Sequence, residues 1–284
     1  MPLSKLDKKT ALSLLPKRPI DANKGTFGKV LAIAGSQNYP GAAYLSCAAA
    51  YRVGTGLVTL VTNDIVKIIV SRKLPEVTFL SLNEVFENLS KYDVLLIGPG
   101  LGQKEQTIKF FRKLLKEKLP KTVIDGDGLN ILSKIDNWWE KLNREVILTP
   151  HPGEMGRLTG KSVEEVQSDR ENIAKDYAKK WGKVIVLKGA NTTIVSPGGD
   201  VVISLFANPA LATAGTGDVL SGIIAGFLAQ GLSISEAACL GVYIHGLAGE
   251  MLKEKYGNAG NLASDLLPLL PKVIQHIQKL SQLN

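Results

Sequence analysis

The chain has 284 residues, of which 45% are hydrophobic and 21% are charged, a composition typical of a globular α/β protein. The formal net charge of +8 suits anionic ligands, but no basic run is interleaved with aromatic residues, so we expect no nucleic-acid partner. Cys47 and Cys239 lie in small-residue helical contexts, which argues against a disulfide framework, and no apolar stretch approaches the roughly 18 residues of a membrane span. We therefore expect a cytoplasmic protein with no membrane partner.

Short β-branched runs alternate with longer helical patterns from the start of the chain to residue 187. The runs are nearly continuous in apolar residues, as expected of strands that are buried on both faces. Strands are predicted at 30–34, 57–61, 94–97, 122–125, 146–149 and 184–187, and helices between them at 41–53, 104–118, 128–135 and 162–181. The alternation predicts a mostly parallel sheet with right-handed crossovers.

The pattern changes after residue 187. Two short apolar runs at 193–196 and 201–204 flank the turn Pro-Gly-Gly-Asp, which predicts a β-hairpin. Helical patterns at about 217–230, 233–255 and 260–281 complete the chain. The predicted fold class is α/β, with three α/β/α layers, a mostly parallel central sheet and a C-terminal β-hairpin plus helices. Because no linker or internal repeat interrupts the chain, we expect residues 1–284 to form one domain.

Glycine-rich and polar segments follow the predicted strands. In open α/β sheets, ligands bind at the carboxyl ends of the strands. Any one segment alone could be ordinary turn chemistry, but several at equivalent positions indicate a bed of backbone N–H groups for a polyphosphate ligand. The segments are 35–43, 98–102, 125–130, 149–155 and 188–192.

The most informative stretch is 213–222, Thr-Ala-Gly-Thr-Gly-Asp-Val-Leu-Ser-Gly. Gly215 and Gly217 allow the backbone to turn its N–H groups toward an anion where an apolar helix begins. Asp218 would repel a phosphate there, so its presence needs a reason, and taking a proton from an attacking hydroxyl supplies one. The alternative is an ordinary N-cap aspartate, although capping requires neither glycine. The stretch therefore favours phosphoryl transfer, with Asp218 as the base.

Four motifs in this order resemble a known family: Gly-Pro-Gly-Leu-Gly at 98–102, Thr-Pro-His-Pro-Gly-Glu-Met at 149–155, Lys-Gly-Ala-Asn-Thr at 188–192, and 214–222. The chain resembles the ADP/ATP-dependent NAD(P)H-hydrate dehydratases of the ribokinase-like superfamily, from about Gly25 to the last helix. The last motif is shared by several small-molecule kinases, whereas His151 between two prolines is typical of a narrower group of proteins. Family members often carry an N-terminal epimerase domain, which we do not expect in this chain.

The resemblance implies a fold and a repair reaction. The fold would be the ribokinase-like α/β/α sandwich, and the substrate would be the (6S)-hydrate of NADH or NADPH, here called the hydrate. Phosphorylation of its C6 hydroxyl by ADP or ATP, followed by loss of phosphate, restores NAD(P)H. Asp218 would be the base, and the amides around Gly215 and Gly217 would stabilise the transferred group. We favour ADP over ATP, because bacterial and archaeal members typically use ADP.

The resemblance also implies binding residues. His151 would contact the hydrate, and Glu154 would organise Mg²⁺ through water, although as a first-turn glutamate it could equally serve its own helix. Asp125, Asp127 and Asn130 could reach the phosphates or the metal, or could form local turn bonds. The remaining implied contacts are Ala42, Ala43, Gly102 and Asp218 for the hydrate, and Lys188, Gly189, Ala190, Asn191, Thr192 and Gly217 for the nucleotide.

Two alternative functions stay open from the residues alone. Another ribokinase-like enzyme, such as a hydroxyethylthiazole kinase, would keep Asp218 and the glycine turn but change the substrate loops. A nucleotide-binding sensor without catalysis would tolerate loss of the base. The family also implies a homo-oligomer, with a tetramer as the expected form, and the apolar segment 237–251 could be core or interface.

Overall fold

The computed structural model of the protein describes residues 6–279. Within that range nine strands form one sheet in the order β3-β2-β1-β4-β5-β6-β7-β8-β9. Neighbours from β3 through β7 are parallel, and the last two pairings are antiparallel. The strands are β1 Lys29–Ile33, β2 Leu57–Val61, β3 Thr78–Leu80, β4 Val94–Ile97, β5 Lys121–Ile124, β6 Val146–Leu148, β7 Val184–Leu187, β8 Thr193–Val195 and β9 Val201–Ile203.

The helices cover both faces of this sheet. In β1, Val30 and Ala32 belong to one apolar core and Leu31 and Ile33 to the other, as expected of a strand buried on both sides. The structure therefore has the three layers predicted from the sequence. The helices are α1 Lys8–Leu14, α2 Pro40–Arg52, α3 Asp64–Lys73, α4 Val85–Asn88, α5 Glu105–Leu114, α6 Asp127–Leu132, α7 Pro152–Thr159, α8 Val163–Ser168, α9 Arg170–Trp181, α10 Thr216–Ala229, α11 Ile234–Tyr256, α12 Ala263–Leu266 and α13 Leu270–Lys279.

Several predicted helix boundaries are wrong. The single helix expected at 162–181 is two helices, α8 and α9, because Asp169 between them takes a non-helical conformation at φ −142° and ψ 53°. The helix expected at 104–118 already ends at Leu114. The helix expected at 260–281 is α12 and α13, and its last two residues lie outside the described part of the chain.

The sequence analysis missed the edge of the sheet beyond β2. There α3 begins after Asn63, whose side chain accepts a hydrogen bond from the Val66 N–H, and it leads to the three-residue strand β3. Both elements are short and partly exposed, so they lack the long apolar run that marked the central strands. The short helices α1 and α4 were missed for the same reason.

Small residues bring α10 close to α2. A Cβ on Gly222 would overlap the Ser46 carbonyl, and one on Gly226 would lie 2.5 Å from Val53 Cγ2. Glycine at these positions therefore permits the helix contact that places the first turn of α10 at the carboxyl edge of the sheet. Among the described helices, none is long and apolar enough to cross a membrane.

Candidate active site

The first turn of α10 carries the predicted anion-binding glycines. Gly215 is its N-cap at φ +94°, a left-handed conformation that favours glycine, and a Cβ there would lie 2.7 Å from Leu45 Cδ1 of α2. Within residues 6–279, no side chain caps this helix. Asp218 is the third helical residue, so the alternative interpretation of it as the N-cap is wrong. The Thr216 hydroxyl braces the turn by donating to the carbonyls of Leu211 and Thr213 at 2.9 and 3.0 Å.

Lys188 is the centre of a buried carboxylate cluster. Its Nζ lies 2.6 Å from Asp125 Oδ1 and 3.8 Å from Glu154 Oε2. Asp125 follows β5, Glu154 lies in the first turn of α7 after β6, and Lys188 follows β7, so three neighbouring strands deliver these groups to one point. Asp125 and Glu154 are only 2% and 5% exposed, and the Thr149 hydroxyl also donates to Asp125 Oδ1 at 2.7 Å. A Cβ on Gly217 would lie 3.3 Å from Lys188 Nζ, which places the glycine turn beside the cluster.

The charges in this cluster change its acid–base behaviour. Burial, followed by the charge of Asp125, raises the pKa of Asp218 to about 7, although Lys188 acts in the opposite direction. Burial likewise raises the pKa of Glu154 to about 7 against the effect of Lys188. Burial alone would lower the pKa of Lys188, but Asp125 and Glu154 outweigh it and raise that pKa. Lys188 thus stays charged, while Asp218 can gain and lose a proton near neutral pH.

His151 is the N-cap of α7. Its Nδ1 accepts hydrogen bonds from the backbone N–H groups of Gly153 and Glu154 at 3.0 and 3.4 Å, and Glu154 Oε2 accepts from the His151 N–H at 2.8 Å. Burial, then Lys188 and Arg157, lowers the pKa of His151. Because Nδ1 is an acceptor, the ring is neutral, and the 3.5 Å contact from Nε2 to Glu154 Oε1 is not an ion pair. Half of the side chain stays exposed, and its predicted contact with the hydrate remains a prediction.

The implied magnesium role of Glu154 has no preformed metal cage around it. In the part of the chain that the structure describes, no group of three or more His, Cys, Asp or Glu side chains could hold a metal ion. Glu154 instead accepts the His151 N–H and faces Lys188. These contacts agree with the alternative interpretation, in which the glutamate stabilises its own helix. These residues do not fit a metal held by the protein alone.

Asp127 and Asn130 form hydrogen bonds to segments that are 25 and 27 positions away along the chain, and these bonds fix the neighbouring loops. Asp127 Oδ2 accepts from the Gly102 N–H at 2.8 Å, and Asn130 Oδ1 accepts from Arg157 Nε at 2.8 Å. Gly98, at φ +119°, permits the close approach of this loop to Asp125, whose carbonyl a Cβ would overlap. Because Asp127 occupies the Gly102 N–H, Gly102 has only its carbonyl and Cα to offer the hydrate.

Ala42 and Ala43 lie in the first turn of α2, within the helix predicted at 41–53. The helix begins at Pro40, since proline is well suited to the first helical position. A Cβ on Gly100 would lie 2.6 Å from the Cβ of Ala42, which is 9% exposed. Ala43 is fully buried under Gly35. Of the two, Ala42 is the one with surface to offer a ligand.

Hydrogen bonds from Asn191 and Thr192 hold the loop 188–192 in place. Asn191 takes a left-handed φ of +54°, and its backbone N–H and side-chain Nδ2 donate to the carbonyls of Phe206 and Ser204 at 3.0 and 3.1 Å. The Thr192 hydroxyl donates to the Gly189 carbonyl at 3.0 Å, and Ala190 is exposed. The Lys188 side chain thus turns toward the carboxylates and the Asn191 amide is held by the Ser204 carbonyl, which leaves mainly exposed backbone for the predicted nucleotide contacts.

The sequence analysis missed His245 of α11. Its Nε2 lies 3.0 Å from the Thr216 carbonyl, inside the glycine turn. Burial lowers the pKa of His245 to about 4, with the hydrogen bond to Thr216 acting in the opposite direction. The sequence signal was a histidine within the mostly small and apolar stretch 237–249 of that helix.

A cavity of about 960 Å³ opens near the amino ends of the strands. Its lining includes Lys121 at the start of β5 and Lys183 just before β7, together with Trp139 and Trp181. None of the cluster residues lines it, and ligands of such folds bind at the opposite edge of the sheet. The chemistry therefore belongs to the edge that carries Asp218.

Comparisons with known proteins identify the family. A family model described as NAD(P)H-hydrate dehydratase matches residues 30–272. The bifunctional NAD(P)H-hydrate repair enzyme Nnr of Moorella thermoacetica is 40% identical over 280 residues, covering 94% of this chain and 53% of that protein. The ADP-dependent (S)-NAD(P)H-hydrate dehydratase of Neisseria meningitidis serogroup B is 38% identical over 257 residues, covering 88% of this chain and 86% of that protein. The chain spans about half the length of the bifunctional relatives.

A solved structure agrees with these relatives. The ADP/ATP-dependent NAD(P)H-hydrate dehydratase from Bacillus subtilis, co-crystallized with ATP/Mg²⁺, superposes with a TM-score of 0.86 at 34% sequence identity. The superposition covers 98% of this chain and 99% of that one. The predicted ribokinase-like fold is therefore confirmed.

Proposed function

This chain belongs to the NAD(P)H-hydrate dehydratase family, and we propose that it restores NADH or NADPH from the hydrate with ADP or ATP as phosphoryl donor. One observation carries the proposal. Asp218 lies in the first turn of α10 with a pKa raised to about 7 by burial and by Asp125, beside a cluster neutralised in part by Lys188. A base with a pKa near the working pH is well matched to proton removal from a hydroxyl.

The reaction has two stages. In the first, the C6 hydroxyl oxygen of the hydrate bonds to the terminal phosphorus of the donor, the bridging P–O bond breaks, and the hydroxyl proton passes to Asp218. In the second, the ring nitrogen donates its lone pair and the C6–O bond breaks to release phosphate. C5 then loses a proton to water, which forms the C5–C6 double bond of NAD(P)H. Phosphate is a far better leaving group than hydroxide, which is why the first stage is needed.

The first turn of α10 would stabilise the charge on the transferred phosphoryl group. Its N–H groups have no side-chain cap within residues 6–279, so they can donate to phosphate oxygens, and the helix dipole adds to this attraction. Lys188 lies beside Gly217 with most of its side chain buried, and it offsets the carboxylates that would otherwise repel the phosphates. These groups act through position and charge, which is the main requirement of phosphoryl transfer.

The individual binding contacts are part of the same proposal. We assign the adenine nucleotide to the exposed backbone of loop 188–192 and to Gly217, because the loop leaves β7 next to the glycine turn. We assign the nicotinamide ring to the exposed edge of His151, with Ala42 and Gly102 forming the adjacent surface. Ala43 is buried and would act only by supporting Ala42. A ligand-bound structure tests this directly, and a nucleotide beyond side-chain reach of 188–192 would contradict it.

Magnesium would enter with the phosphates. A Mg²⁺ ion that keeps several waters and binds mainly phosphate oxygens needs no cage of protein ligands. Glu154 would act on it through water, as the resemblance implies, while the His151 N–H fixes its carboxylate. When bound, the ion would neutralise phosphate charge; the roles of Asp218 and Lys188 follow from their own positions.

We further propose that the sheet and its helices form one domain that assembles as a homo-oligomer and works in the cytoplasm. Cys47 and Cys239 are buried free thiols, and burial raises the pKa of each to about 12, which suits a reducing compartment. A different ribokinase-like kinase is less well supported, because the family relatives share the hydrate activity in their names.

A direct assay tests the proposed function. The purified chain is mixed with hydrated NADH or NADPH and with ADP or ATP, and the return of the reduced nicotinamide absorbance is followed. We expect turnover with at least one donor and none without nucleotide. Nucleotide binding without turnover would favour the non-catalytic sensor, and phosphorylation of a hydroxyethylthiazole in place of the hydrate would favour the other kinase.

A further inference from the structure

Helix α11 supports the backbone that leads into the glycine turn. A Cβ on Gly246 would overlap the ring of Phe206, and one on Gly249 would lie 2.7 Å from Leu211 Cδ1. These glycines therefore let the segment 206–211 lie directly on the helix. His245 adjoins Gly246 on the same helix and contacts the turn itself.

The contact between His245 and Thr216 has a defined direction. The Thr216 carbonyl can only accept, so His245 Nε2 carries the proton and donates across the 3.0 Å separation. The Thr216 carbonyl and the Gly217 N–H belong to one planar trans peptide and therefore point in opposite directions. In a helix the N–H side of that peptide faces the N-terminus, where an anion binds.

We propose that His245 is a positioning residue for phosphoryl transfer, which holds the Thr216 carbonyl and thereby aims the Gly217 N–H at the transferred phosphoryl group. This inference rests on the proposed function. It assigns no proton transfer to the imidazole, because Nε2–H is committed to the carbonyl. Burial and the nearby charge of Lys188 lower the pKa of His245 to about 4 despite the bond to Thr216, so the ring stays neutral while the enzyme works.

The same helix reaches the nucleotide loop. The Phe206 carbonyl, above Gly246, accepts the backbone N–H of Asn191 at 3.0 Å. A disturbance at His245 could therefore reach both the glycine turn and loop 188–192. The test must separate the loss of one aimed N–H from a general loosening of α11.

Two polar substitutions that differ by one methylene provide the test. In His245→Gln the amide Nε2 can occupy the place of the imidazole Nε2 and keep the donor, whereas in His245→Asn the amide is too short to reach the Thr216 carbonyl. His276→Gln, at an exposed position of α13, is the matched control. For each variant, kcat and KM for the hydrate, nucleotide affinity by calorimetry and the thermal unfolding midpoint are measured.

We expect His245→Asn to lower kcat by about 10- to 100-fold while KM for the hydrate changes by less than about threefold. His245→Gln should keep kcat within a few-fold of the unaltered protein, and His276→Gln should change nothing. Equal kcat in the Asn variant and the unaltered protein would overturn the inference. A Gln variant as slow as the Asn variant would also overturn it, because the Gln side chain keeps the donor and should restore the rate.

Failure of the proposed function gives a different result. If the unaltered protein does not turn over the hydrate, the proposed function fails, and the aim of the Gly217 N–H is then measured by nucleotide binding alone. In that case we expect weaker binding of ADP or ATP by His245→Asn, with recovery in His245→Gln. Identical nucleotide affinities for the two variants and the unaltered protein would overturn the inference in that setting as well.

Discussion

The N-termini of α7 and α10 both lie at the carboxyl edge of the sheet, but their first backbone N–H groups are treated in opposite ways. At α7, His151 and Glu154 form a capping box, so the helix satisfies its own first N–H groups with its own side chains. At α10, a left-handed Gly215 begins the helix, and no described side chain caps it. The first arrangement stabilises the fold, whereas the second leaves N–H groups for an anionic ligand.

The comparison also explains how carboxylates can sit near a phosphate site. Glu154 is occupied by the His151 N–H and faces Lys188, whereas Asp218 makes no bond to the N-cap of its own helix. Both have a pKa raised to about 7, chiefly by burial, yet only Asp218 belongs to the helix end that is open to a ligand. The N-terminus of α7 therefore stabilises the fold, and the N-terminus of α10 carries the proposed chemistry.

Asp218→Asn should have the largest effect. If the carboxylate takes the hydroxyl proton, the amide should lower kcat by about 10²- to 10⁴-fold, the usual contribution of a positioned base. Nucleotide affinity should be kept or rise slightly, because a charge that repels phosphate is removed. Paired turnover assays and calorimetry on one preparation measure this. Turnover within a few-fold of the unaltered protein would show that Asp218 is not the base.

The same variant has a signature in stability. Because burial and Asp125 raise the pKa of Asp218 to about 7 in the folded state, ionising it costs folding free energy as pH rises from about 4 to about 7. The asparagine has no such cost. The unfolding midpoint of Asp218→Asn should therefore rise above that of the unaltered protein between about pH 4 and about pH 7, and a pH-independent difference would contradict the buried-carboxylate interpretation.

Lys188→Met should shift the pH dependence of the reaction. For the unaltered protein we expect kcat/KM to fall below a pH near 7, where Asp218 gains a proton. Removing the lysine removes the charge that holds this pKa down, so the fall should move to higher pH. Lys183→Met is the matched control, since Lys183 is 2% exposed and donates to the Leu142 carbonyl far from the cluster. An unshifted profile in Lys188→Met would contradict the assigned coupling.

His151→Ala should combine two smaller effects. Loss of the cap should cost about 1 kcal/mol of unfolding free energy, and loss of the ring should raise KM for the hydrate more than it lowers kcat. His151→Asn separates these effects, because asparagine is a good N-cap but lacks the ring. We expect normal stability with a raised KM in the Asn variant. A kcat loss larger than the KM change would make His151 a catalytic acid or base.

Ser233→Ala should have the smallest effect on function. Ser233 caps α11 through a box with Glu236, like the one at α7, but this cap lies at the start of the helix, away from His245 and the glycine turn. The variant should lose about 1 kcal/mol of unfolding free energy and keep its kcat and KM. Reduced turnover there would mean that general stability limits the reaction, which would weaken every comparison above.

The central strands, the hairpin and the start of α10 could be predicted from the sequence. Runs such as Val94–Ile97 are apolar throughout because they are buried on both faces, and this pattern depends only on neighbouring residues. Asp218 could be placed in the first turn of a helix because glycines and an apolar run surround it. The break at Asp169 and the early end of α5 at Leu114 were missed, because helix ends depend on single residues more than on periodicity.

Only the tertiary structure decided what these residues do to one another. Lys188 and Asp125 are 63 positions apart, and His245 and Thr216 are 29 apart, so no local pattern could pair them. The raised pKa of Asp218 arises from burial and from Asp125, both of which exist only once three strand ends meet. Sequence determined which groups reach the carboxyl edge of the sheet, whereas long-range packing set their charge and direction, because Coulomb energies and desolvation depend on distance in space.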